Sequence, residues 1–383
     1  MNDRPTLGRR HWSGIAYGRR VTIAPKSSLL IVGPTQAGKT SSIVMPALLR
    51  WTDALVVTSV KNDVIATTSR WRCSLGETQI LEPGLDGGLT WNPLEGVTTL
   101  RHALRVARDL TVGSNGHGET EFWNTLATKL VAGLMTIAVQ RGDTIFEVAR
   151  VVERRDLAAW LGERESSLAG EFVRNFLEHD GKTLDAVLTT AETMLMPWRF
   201  EQPLARVRQV VEGANTMYLC SPRGEQRHYE ALFRGALRMV LEEQQRRVDE
   251  GTSRRLLMVL DEAATVASLD ELDQLAATVS GLNVTLVTVV QDFAQLVARW
   301  GPRASTIVNN HTTRVVLSGL ADPTVRNYLP ELVPSKPDER DVPLRLRPRG
   351  TATVIAGNER IFHVRLRPWW QDRKLRDLGV RGR

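Results

Sequence analysis

The sequence predicts an α/β fold: a mostly parallel sheet between helices, in three layers, with an inserted all-α domain. Two observations predict the core. Short apolar runs alternate with helical patterns, and the first such run leads directly into a glycine-rich loop. A third predicts the insertion, because residues 99–208 show helical periodicity without a comparable strand. We therefore predict a core domain of residues 1–98 and 209–383 and an all-α domain of residues 99–208.

The composition is that of a globular protein with a polyanionic partner. Of 383 residues, 42% are hydrophobic and 24% are charged, which excludes a disordered chain. A net charge of +7 and a pI of about 9.8 favour nucleic acid or an anionic membrane surface; a solvated basic surface is the alternative. Cys73 and Cys220 form no metal-binding motif and fit a reducing cytoplasm. The N-terminus does not resemble a signal peptide, and the longest apolar run, Leu130–Val139, is half the length of a membrane-spanning helix.

The core strands are apolar runs, each followed by a turn or a helical pattern. In chain order, they are predicted at 29–32, 54–60, 215–220, 255–260, 284–290 and 313–317. A short strand at 21–24 precedes them, residues 79–95 have the pattern of strand and loop, and a hairpin over 351–366 turns at Gly357-Asn358. Helical patterns cover 269–279 and 292–300. Strands that alternate with helices favour a parallel sheet with right-handed crossovers.

The loop after the first core strand carries the phosphate-binding motif G-x-x-x-x-G-K-[ST] in full, between a strand and a helix. Its backbone N–H groups and the helix N-terminus are suited to cradle phosphate oxygens. Lys39 would reach the β- and γ-phosphates of ATP, and Thr40 would hold Mg²⁺. Pro46, in the following helix, should kink or end it and has no evident chemical role. The predicted nucleotide-binding residues are Gly33, Pro34, Thr35, Gln36, Ala37, Gly38, Lys39, Thr40 and Ser41.

A second signal is the pair Asp261-Glu262, which follows the four apolar residues Leu257–Leu260. Such a run is typical of a central strand that is buried on both faces. An NTPase needs an acidic residue at the end of a strand near its phosphate-binding loop, so Asp261 is predicted to ligate Mg²⁺. Glu262 is predicted to polarise the attacking water as general base. The alternative is an ordinary helix start, where acidic residues are also favoured.

The next predicted strand ends at Gln291, a position suited to sense the γ-phosphate or to orient the water. A structural role in a turn is the alternative. Lys39, Glu262 and Gln291 are thus the predicted catalytic residues. This pattern is that of RecA-like P-loop NTPases, which have an extra strand between the loop strand and the acidic strand and a catalytic glutamate. By fold analogy, such enzymes are mechanical motors rather than small-molecule kinases.

Segments beyond these motifs form a further pattern along the chain. They are Pro34–Trp51, Ser59–Asp63, Asn92–Leu94, Phe122-Trp123 with Ala127, Asp261–Ala264, Gln291-Asp292 with Gln295-Leu296, Trp300-Gly301, Ser318-Gly319 and Asp322–Thr324. In content and in order, and together with the α insertion, this set resembles the type IV coupling proteins, the conjugative TraG/TraD group. The resemblance covers about residues 20–370, almost the whole chain.

The resemblance implies an ATPase at the pore of a bacterial conjugation or type IV secretion system. It implies a homo-oligomer, a hexameric ring, that uses ATP and Mg²⁺. The implied partners are DNA, in single-stranded form with a relaxase, or effector proteins, together with the proteins of the secretion channel. The implied location is the cytoplasm, at the inner face of the plasma membrane.

Two features depart from the pattern of this family. Members commonly begin with transmembrane helices, which the sequence does not predict here, so membrane attachment would need a partner protein or a lipid contact of the N-terminal arginines. Many members also carry an arginine that reaches the neighbouring subunit's nucleotide, just before the glycine that matches Gly281; the chain has Ala277–Ser280 there. Arg299, Arg303 and Arg314 are the remaining candidates for that role.

Two other functions stay open on the sequence. A cytosolic DNA translocase of the FtsK/HerA class shares the core, and the absence of a predicted anchor favours it, whereas the helical domain and the Gln291-Asp292 pattern favour the coupling group. A nucleotide-gated receptor that docks secretion substrates without pumping would use the all-α domain for binding. The presence of Glu262 argues against this receptor, because a scaffold needs no general base.

Overall fold

The computed structural model describes residues 6–12, 15–22, 24–59, 62–85, 87–111, 119–162, 167–221, 224–266, 269–329, 347–357 and 361–380. The described residues form two compact units. The first lies within residues 1–80, 207–223 and 240–383, and the second within 81–206 and 224–239. The first unit is α/β and the second is almost entirely helical, in agreement with the predicted fold class. The domain boundaries at 99 and 208 stay a prediction.

Apolar runs form the strands and amphipathic segments form the helices. The strands are β1 (Thr6–Trp12), β2 (Ile15–Thr22), β3 (Ser28–Val32), β4 (Ala54–Ser59), β5 (Thr78–Leu81), β6 (Thr90–Trp91), β7 (Leu204–Ala205), β8 (Thr216–Cys220), β9 (Leu256–Leu260), β10 (Val284–Val290), β11 (Thr313–Leu317), β12 (Thr351–Ala356) and β13 (Phe362–Arg365). The helices are α1 (Met45–Arg50), α2 (Asn62–Cys73), α3 (Leu100–Asp109), α4 (Glu119–Arg141), α5 (Ile145–Arg154), α6 (Leu157–Leu161), α7 (Leu168–Leu177), α8 (Gly181–Leu195), α9 (Gln226–Asp249), α10 (Leu272–Thr278), α11 (Phe293–Trp300), α12 (Ala304–Asn310), α13 (Val325–Tyr328) and α14 (Arg373–Val380).

One sheet of eleven strands, in the order β2-β1-β13-β12-β11-β3-β10-β9-β4-β8-β5, organises the first unit. Every neighbouring pair from β11 to β8 is parallel, whereas β12, β13, β1 and β2 pair antiparallel. The strand β10 lies between β3 and β9, which confirms the predicted extra strand. Parallel strands end at one edge of a sheet, so residues that follow β3, β10 and β9 meet there.

The ends of the predicted core strands are confirmed within one or two residues. In the N-terminal region, the strands differ from those predicted. The short strand expected at residues 21–24 overlaps the end of β2 at 21–22, and residue 23 lies outside the described residues; β2 begins earlier, at Ile15, and pairs with β1, which no pattern predicts. Backbone pairing of an antiparallel edge strand needs no apolar face, so these arginine-rich strands carry little hydrophobic signal. The C-terminal hairpin is confirmed as β12 and β13. Of the turn expected at Gly357-Asn358, the second residue lies outside the described residues, as does Val60 of the predicted strand 54–60.

The centre of the sheet is buried on both faces. Every residue of β3, β4, β8, β9 and β10 is buried, which is the pattern of parallel strands covered by helices on each side. On one face, Leu29 and Ile31 join a core cluster with side chains of α1, α2 and α14. An ion pair of 2.7 Å between Arg50 and Asp372 ties the end of α1 to the residues just before α14.

The chain between β3 and α1 enters the helix through a π-helical turn. Residues Thr40–Val44 form a π-helical turn, and Pro46 lies in the first turn of α1. Proline has no N–H to donate and is tolerated in the first turn of a helix. In place of the expected kink or end of the helix, the chain forms a widened, π-helical turn just before the proline. Single π-helical turns occur frequently at functional sites.

The helical unit is built around α4, whose residues from Leu130 to Ala138 are completely or almost completely buried. It packs against α3, α5, α7 and α8. At Gly133, an added Cβ would lie 2.8 Å from a methyl group of Val173, so a larger residue would separate α4 from α7. Among the described residues, α4 is the single helix long and apolar enough to cross a membrane, and 56% of its apolar window is buried inside the folded chain.

The buried His311 predicts a pH dependence of stability. Its Nδ1 lies 2.6 Å from the carbonyl oxygen of Ile307, which can only accept, so Nδ1 carries the proton and Nε2 accepts from the Thr288 hydroxyl at 2.9 Å. Burial lowers the pKa of His311 to about 4, the bond to Ile307 opposes this, and the charge of Arg314 adds to the lowering. The unfolded chain takes up a proton near pH 6.5 and the folded chain does not.

Stability should therefore fall as the pH is lowered from about 6.5 towards 4, by about 1.4 kcal/mol per pH unit from this residue. The measurement is urea unfolding at a series of pH values, with His311→Gln beside it. The substitution should flatten the dependence in this window, although it lowers stability at pH 7. His228→Gln, which alters an exposed histidine, is the control and should keep the wild-type slope. A His311→Gln slope equal to that of wild type would contradict the prediction.

Candidate functional site

The predicted phosphate-binding loop leaves the end of β3 and closes back on itself. The N–H of Gly33 donates to Val290 O at 3.3 Å, and the N–H of Ala37 donates to Pro34 O at 3.2 Å. Gln36 and Gly38 have positive φ angles of 62° and 91°. Alternation of right- and left-handed residues turns successive N–H groups into one concavity, which is an anion-binding arrangement.

Gly33 is required by the packing at the end of the strand. An added Cβ at this position would lie 2.7 Å from Leu317 Cβ, closer than such atoms approach in proteins. The first residue of the loop therefore lies directly against the end of β11. This contact holds the loop at the edge of the sheet where the polar residues of neighbouring strands lie.

Lys39 lies across the loop and is 9% exposed. Its Nζ donates to the carbonyl oxygens of Gly33, at 2.6 Å, and Pro34, at 3.0 Å. A buried ammonium needs oxygen partners, and carbonyl oxygens of the loop provide them here. The cation therefore lies inside the loop, at the place where the motif requires a partner for phosphate oxygens.

Thr40 and Asp261 meet, as their predicted common metal requires. Thr40 Oγ1 donates to Asp261 Oδ2 at 3.1 Å, and Thr58 Oγ1 donates to the Asp261 carbonyl oxygen at 3.0 Å. Asp261 is 6% exposed. A hydroxyl and a carboxylate are hard oxygen ligands that fit Mg²⁺, which takes one or two protein ligands and completes its shell with water and phosphates. The described residues contain no cluster of three or more His, Cys, Asp or Glu side chains that could hold a metal ion.

Glu262 follows Asp261 in a strained backbone conformation. Its φ angle is +56°, a left-handed value that is uncommon for residues other than glycine. The turn is held by bonds on both sides: the N–H of Ala263 donates to Val289 O at 3.0 Å, and the N–H of Thr265 donates to Glu262 O at 2.8 Å. The surrounding structure therefore imposes this angle and turns the chain sharply at the carboxylate that was predicted as general base.

Gln291 lies at the end of β10, between β3 and β9, and contacts the phosphate-binding loop. Thr35 Oγ1 donates to Gln291 Oε1 at 3.5 Å. The backbone N–H of Gln291 donates to Gln295 Oε1 at 2.9 Å. Its side chain thus faces the loop from the neighbouring strand, which is the position expected of a γ-phosphate sensor.

The three arginines considered for action on a neighbouring subunit have different surroundings. Arg299 lies 3.7 Å from Asp270, and Arg303 lies 3.8 Å from Asp273. Arg314 lies near the start of β11, paired with Leu30, at the edge of the sheet opposite the phosphate-binding loop. The structure of one chain does not bring any of them to its own loop, and a role in trans stays a prediction.

Sequence reasoning missed how Asp322 contributes to this edge. Its carboxylate accepts the backbone N–H of Phe293, 29 residues earlier, at 2.8 Å. The motif Asp322–Thr324 had been noticed, but only as part of a resemblance. The usable signal was an aspartate two residues before a threonine, a common turn and capping pattern, and that pattern does not reveal a bond to another segment.

Comparisons with known proteins identify relatives of this chain. Residues 11–335 match the family model described as type IV secretory system conjugative DNA transfer. The chain is 24% identical over 314 residues to the conjugal transfer protein TraG of Escherichia coli, covering 71% of this chain and 49% of TraG. It is 22% identical over 342 residues to the protein VirD4 of Rhizobium radiobacter, covering 83% of this chain and 49% of VirD4. The chain thus spans about half the length of the curated relatives it matches.

Solved structures agree on the fold. The bacterial conjugative coupling protein TrwB, in its unbound form, superposes with a TM-score of 0.72 at 19% identity, covering 95% of this chain and 88% of that chain. TrwB with ADP and Mg²⁺ gives a TM-score of 0.70 at 18% identity, covering 95% and 94%. VirB4 of Thermoanaerobacter pseudethanolicus gives 0.60 at 12% identity, covering 98% and 99%. These matches identify the fold as a RecA-like P-loop NTPase core with a helical insertion. With a family model that covers most of its length, the chain belongs to the conjugative DNA transfer family of type IV secretion systems, the coupling proteins.

Proposed function

We propose that this chain hydrolyses ATP to recruit DNA, as a relaxase–DNA complex, and to pump it to the channel of a conjugation or type IV secretion system. The observation that carries the proposal is the 3.1 Å contact between Thr40 Oγ1 and Asp261 Oδ2, beside the buried Lys39. Glu262 and Gln291 follow strands that end at the same edge. A phosphate-binding loop, an oxygen pair for a metal and a carboxylate for water together suit hydrolysis better than binding alone.

The loop residues Gly33–Ser41 hold the phosphates of the nucleotide. Lys39 exchanges its carbonyl partners for oxygens of the β- and γ-phosphates, and this exchange keeps its charge compensated in both states. Thr40 and Asp261 would hold Mg²⁺, which would supply positive charge to the phosphates. The contact of these two side chains means that the metal needs little rearrangement of the protein.

Glu262 accepts a proton from the attacking water. The water oxygen forms a bond to the γ-phosphorus as the bond to the β–γ bridging oxygen breaks, and ADP and phosphate leave. Gln291 orients this water or the γ-phosphate through its side-chain amide. Its contact with Thr35 makes it responsive to the loop that carries the phosphates.

The assembly and location form part of the same proposal. A hexameric ring would place an arginine of one subunit near the nucleotide of the next, with Arg299, Arg303 and Arg314 as candidates. The all-α domain, residues 99–208, would face the cargo, and channel proteins would receive it. The chain would work in the cytoplasm at the inner face of the plasma membrane. The relatives' names, conjugal transfer protein and conjugative coupling protein, support DNA as cargo.

The test is ATP hydrolysis by the purified protein, without DNA and with single- or double-stranded DNA, over a range of salt concentrations. Turnover should rise with DNA, more with single strands, and the stimulation should fall steeply with salt because phosphate contacts dominate binding. Turnover indifferent to DNA at low salt would contradict DNA as the cargo and favour a protein substrate. Nucleotide binding without turnover would favour the nucleotide-gated receptor instead.

A row of arginines on α3 supports DNA binding and gives a sharper prediction. Arg101, Arg105 and Arg108 are exposed, while Ala103 and Ala107 of the same helix are buried. Spacings of four and three residues put the arginines on one face, over about 10 Å of helix axis. They are therefore placed to follow successive phosphates of one strand.

Replacement of the three by glutamine should weaken single-stranded DNA binding and lower the slope of log affinity against log salt by about two. The measurement is fluorescence anisotropy with a labelled oligonucleotide at several salt concentrations. The control removes the same charge from three arginines of the helical unit that lie in or beside α5 and pair with carboxylates, and it should change the slope much less. These are Arg150, Arg155 and Arg199, each within 3.4 Å of a carboxylate. Equal changes in the two triple variants would contradict a specific DNA-binding face.

A further inference from the structure

The carboxylate of Asp322 joins two segments of the first unit at the start of α11. Asp322 Oδ2 accepts the N–H of Phe293, the first residue of α11, at 2.8 Å. Asp322 Oδ1 accepts the N–H of Thr324 at 2.8 Å and its hydroxyl at 2.6 Å. Both carboxylate oxygens are therefore used, one for its own turn and one for a helix that begins 29 residues earlier.

The helix start that Asp322 holds is continuous with Gln291. Asp292 is the N-cap of α11 and accepts the N–H of Gln295 at 2.8 Å, while the side chain of Gln295 accepts the N–H of Gln291 at 2.9 Å. Gln291, its cap and the first turn of α11 thus form one hydrogen-bonded unit. A shift of Phe293 would move this unit, and the side chain of Gln291 with it.

A second contact binds the same two segments. The rings of Phe293 and Tyr328 stack with centroids 5.4 Å apart and planes 7° from parallel. Asp322 and Tyr328 thus hold the first residue of α11 from the backbone and from the side chain. Offset stacking of this kind adds to the stability that burial of the rings provides.

The segment that carries Asp322 also reaches the phosphate-binding loop. It begins at Leu317, which lies against Gly33, and continues through Gly319, where an added Cβ would lie 3.6 Å from Pro34. Residues 317–324 therefore contact the start of the loop at one end and the start of α11 at the other. The two sides of the nucleotide site, Thr35 and Gln291, are linked through this segment as well as by their direct contact.

The charge of Asp322 suits this role. Burial alone would raise the pKa of its carboxyl, but the hydrogen bonds from Thr324 and from the start of α11 outweigh burial, and the pKa is lowered. The group is then an anion at the N-terminus of a helix, where negative charge is stabilised by the unpaired N–H groups and the helix dipole.

We propose that Asp322 is a positioning residue that holds Gln291 where it can distinguish ATP from ADP. The inference rests on the proposed function of the nucleotide site, and Asp322 itself touches neither nucleotide nor metal. Because both oxygens accept hydrogen bonds, asparagine at 322 would point an NH₂ group at one of these donors. The start of α11 would then move, and Gln291 would lose its position opposite Thr35.

The test compares equilibrium binding of ADP and of a non-hydrolysable ATP analogue, both with Mg²⁺, in the wild type, Asp322→Asn, Gln291→Ala and the double variant. The wild type should prefer the ATP analogue, and each single variant should lose most of that preference while its affinity for ADP stays within about twofold. The double variant should lose no more than Gln291→Ala alone, since effects that pass through one residue do not add. In hydrolysis, Asp322→Asn should lower kcat by about 10-fold to 100-fold with little change in KM, as misplaced groups do.

A matched control is Asp180→Asn in the helical unit. Asp180, the N-cap of α8, also uses both carboxylate oxygens: one accepts the N–H groups of Lys182 and Thr183, and the other accepts the Thr183 hydroxyl. This variant should lose a similar amount of stability and keep the wild-type preference for the ATP analogue. If Asp322→Asn does not fold, Thr324→Val removes one hydrogen bond to the carboxylate and should give a smaller change in the same direction.

The inference is overturned if Asp322→Asn keeps the preference, if its effect adds to that of Gln291→Ala, or if the wild type binds both nucleotides equally. A wild type without turnover would refute the proposed ATPase, whereas the binding comparison would still decide the role of Asp322. The two failures are thus distinguishable.

Discussion

Replacement of Glu262 by glutamine is expected to lower kcat for ATP hydrolysis by about 10²-fold to 10⁴-fold, the usual contribution of a general base. Glutamine has the same shape and cannot accept the proton of the attacking water. The backbone turn that positions residue 262 is held by hydrogen bonds of Ala263 and Thr265, and the substitution leaves these bonds in place. Nucleotide affinity should therefore change little, because Lys39, Thr40 and Asp261 are untouched.

The measurement is steady-state hydrolysis together with direct nucleotide binding. Glu250→Gln, which changes an exposed glutamate that pairs with Arg246 near the end of α9, is the control and should keep wild-type turnover. A Glu262→Gln protein with more than a tenth of the wild-type kcat would contradict the assignment of the base. A loss of binding in parallel with turnover would indicate a structural role for Glu262.

Replacement of Arg72 by methionine is expected to lower the free energy of unfolding by about 3–5 kcal/mol, because several buried acceptors would lose their donor at about 1–3 kcal/mol each. Arg72 is completely buried, and its guanidinium donates to three backbone carbonyls and one hydroxyl. The acceptors are Trp51 O at 2.5 Å, Asp53 O at 2.6 Å, Ala214 O at 3.1 Å and Thr216 Oγ1 at 2.7 Å. Methionine fills much of the volume and leaves these acceptors without a donor.

The pKa of Arg72 is lowered, as expected of a guanidinium that is buried. Desolvation lowers the pKa of Arg72 to about 10, against the raising effects of Tyr218 and Asp53. At pH 7 the group is still charged, so its partners hold a cation that has lost its water. Replacement of the arginine would leave its buried acceptors without a donor, and this lowers the free energy of unfolding.

The measurement is urea unfolding of Arg72→Met beside Arg70→Met. Arg70 lies on the same helix but is exposed, and its loss should change stability by less than about 1 kcal/mol. Similar unfolding midpoints for the two variants would contradict the structural role of Arg72. Arg72→Lys should recover only part of the loss, because an ammonium cannot reach acceptors spread around a planar guanidinium.

The central part of this fold could be predicted because its signals are local. The strand β9 is a continuous apolar run, β10 is rich in valine, and a polar residue follows each of them. The loop before Thr40 follows a motif whose chemistry requires its spacing. The meeting of Thr40 with Asp261 followed from the parallel order of the strands. These predictions needed no knowledge of contacts between distant segments.

Other features could not be predicted because distant segments create them. Arg72 lies in a helix with ordinary polar composition, and only the packing of β4 and β8 around it makes it a buried group. The bond of Asp322 to Phe293 joins a turn to the first residue of α11, and neither segment alone indicates that the other lies beside it. The strands β1 and β2 could not be predicted because their sequences are rich in arginine and lack a clear apolar pattern. Backbone pairing alone forms this edge of the sheet.

The left-handed backbone of Glu262 limits how far the stability of this protein can be raised without loss of its proposed activity. Strain of this kind costs about 1–3 kcal/mol for a residue with a side chain, and glycine avoids it. A laboratory selection for heat resistance alone would therefore favour glycine at 262, and with Glu262 as the proposed general base the selected proteins would lose most of their ATP hydrolysis. A selection that demands activity would keep the glutamate and gain stability elsewhere. Glu262 is thus a position where, on the proposed function, heat resistance and ATP hydrolysis conflict.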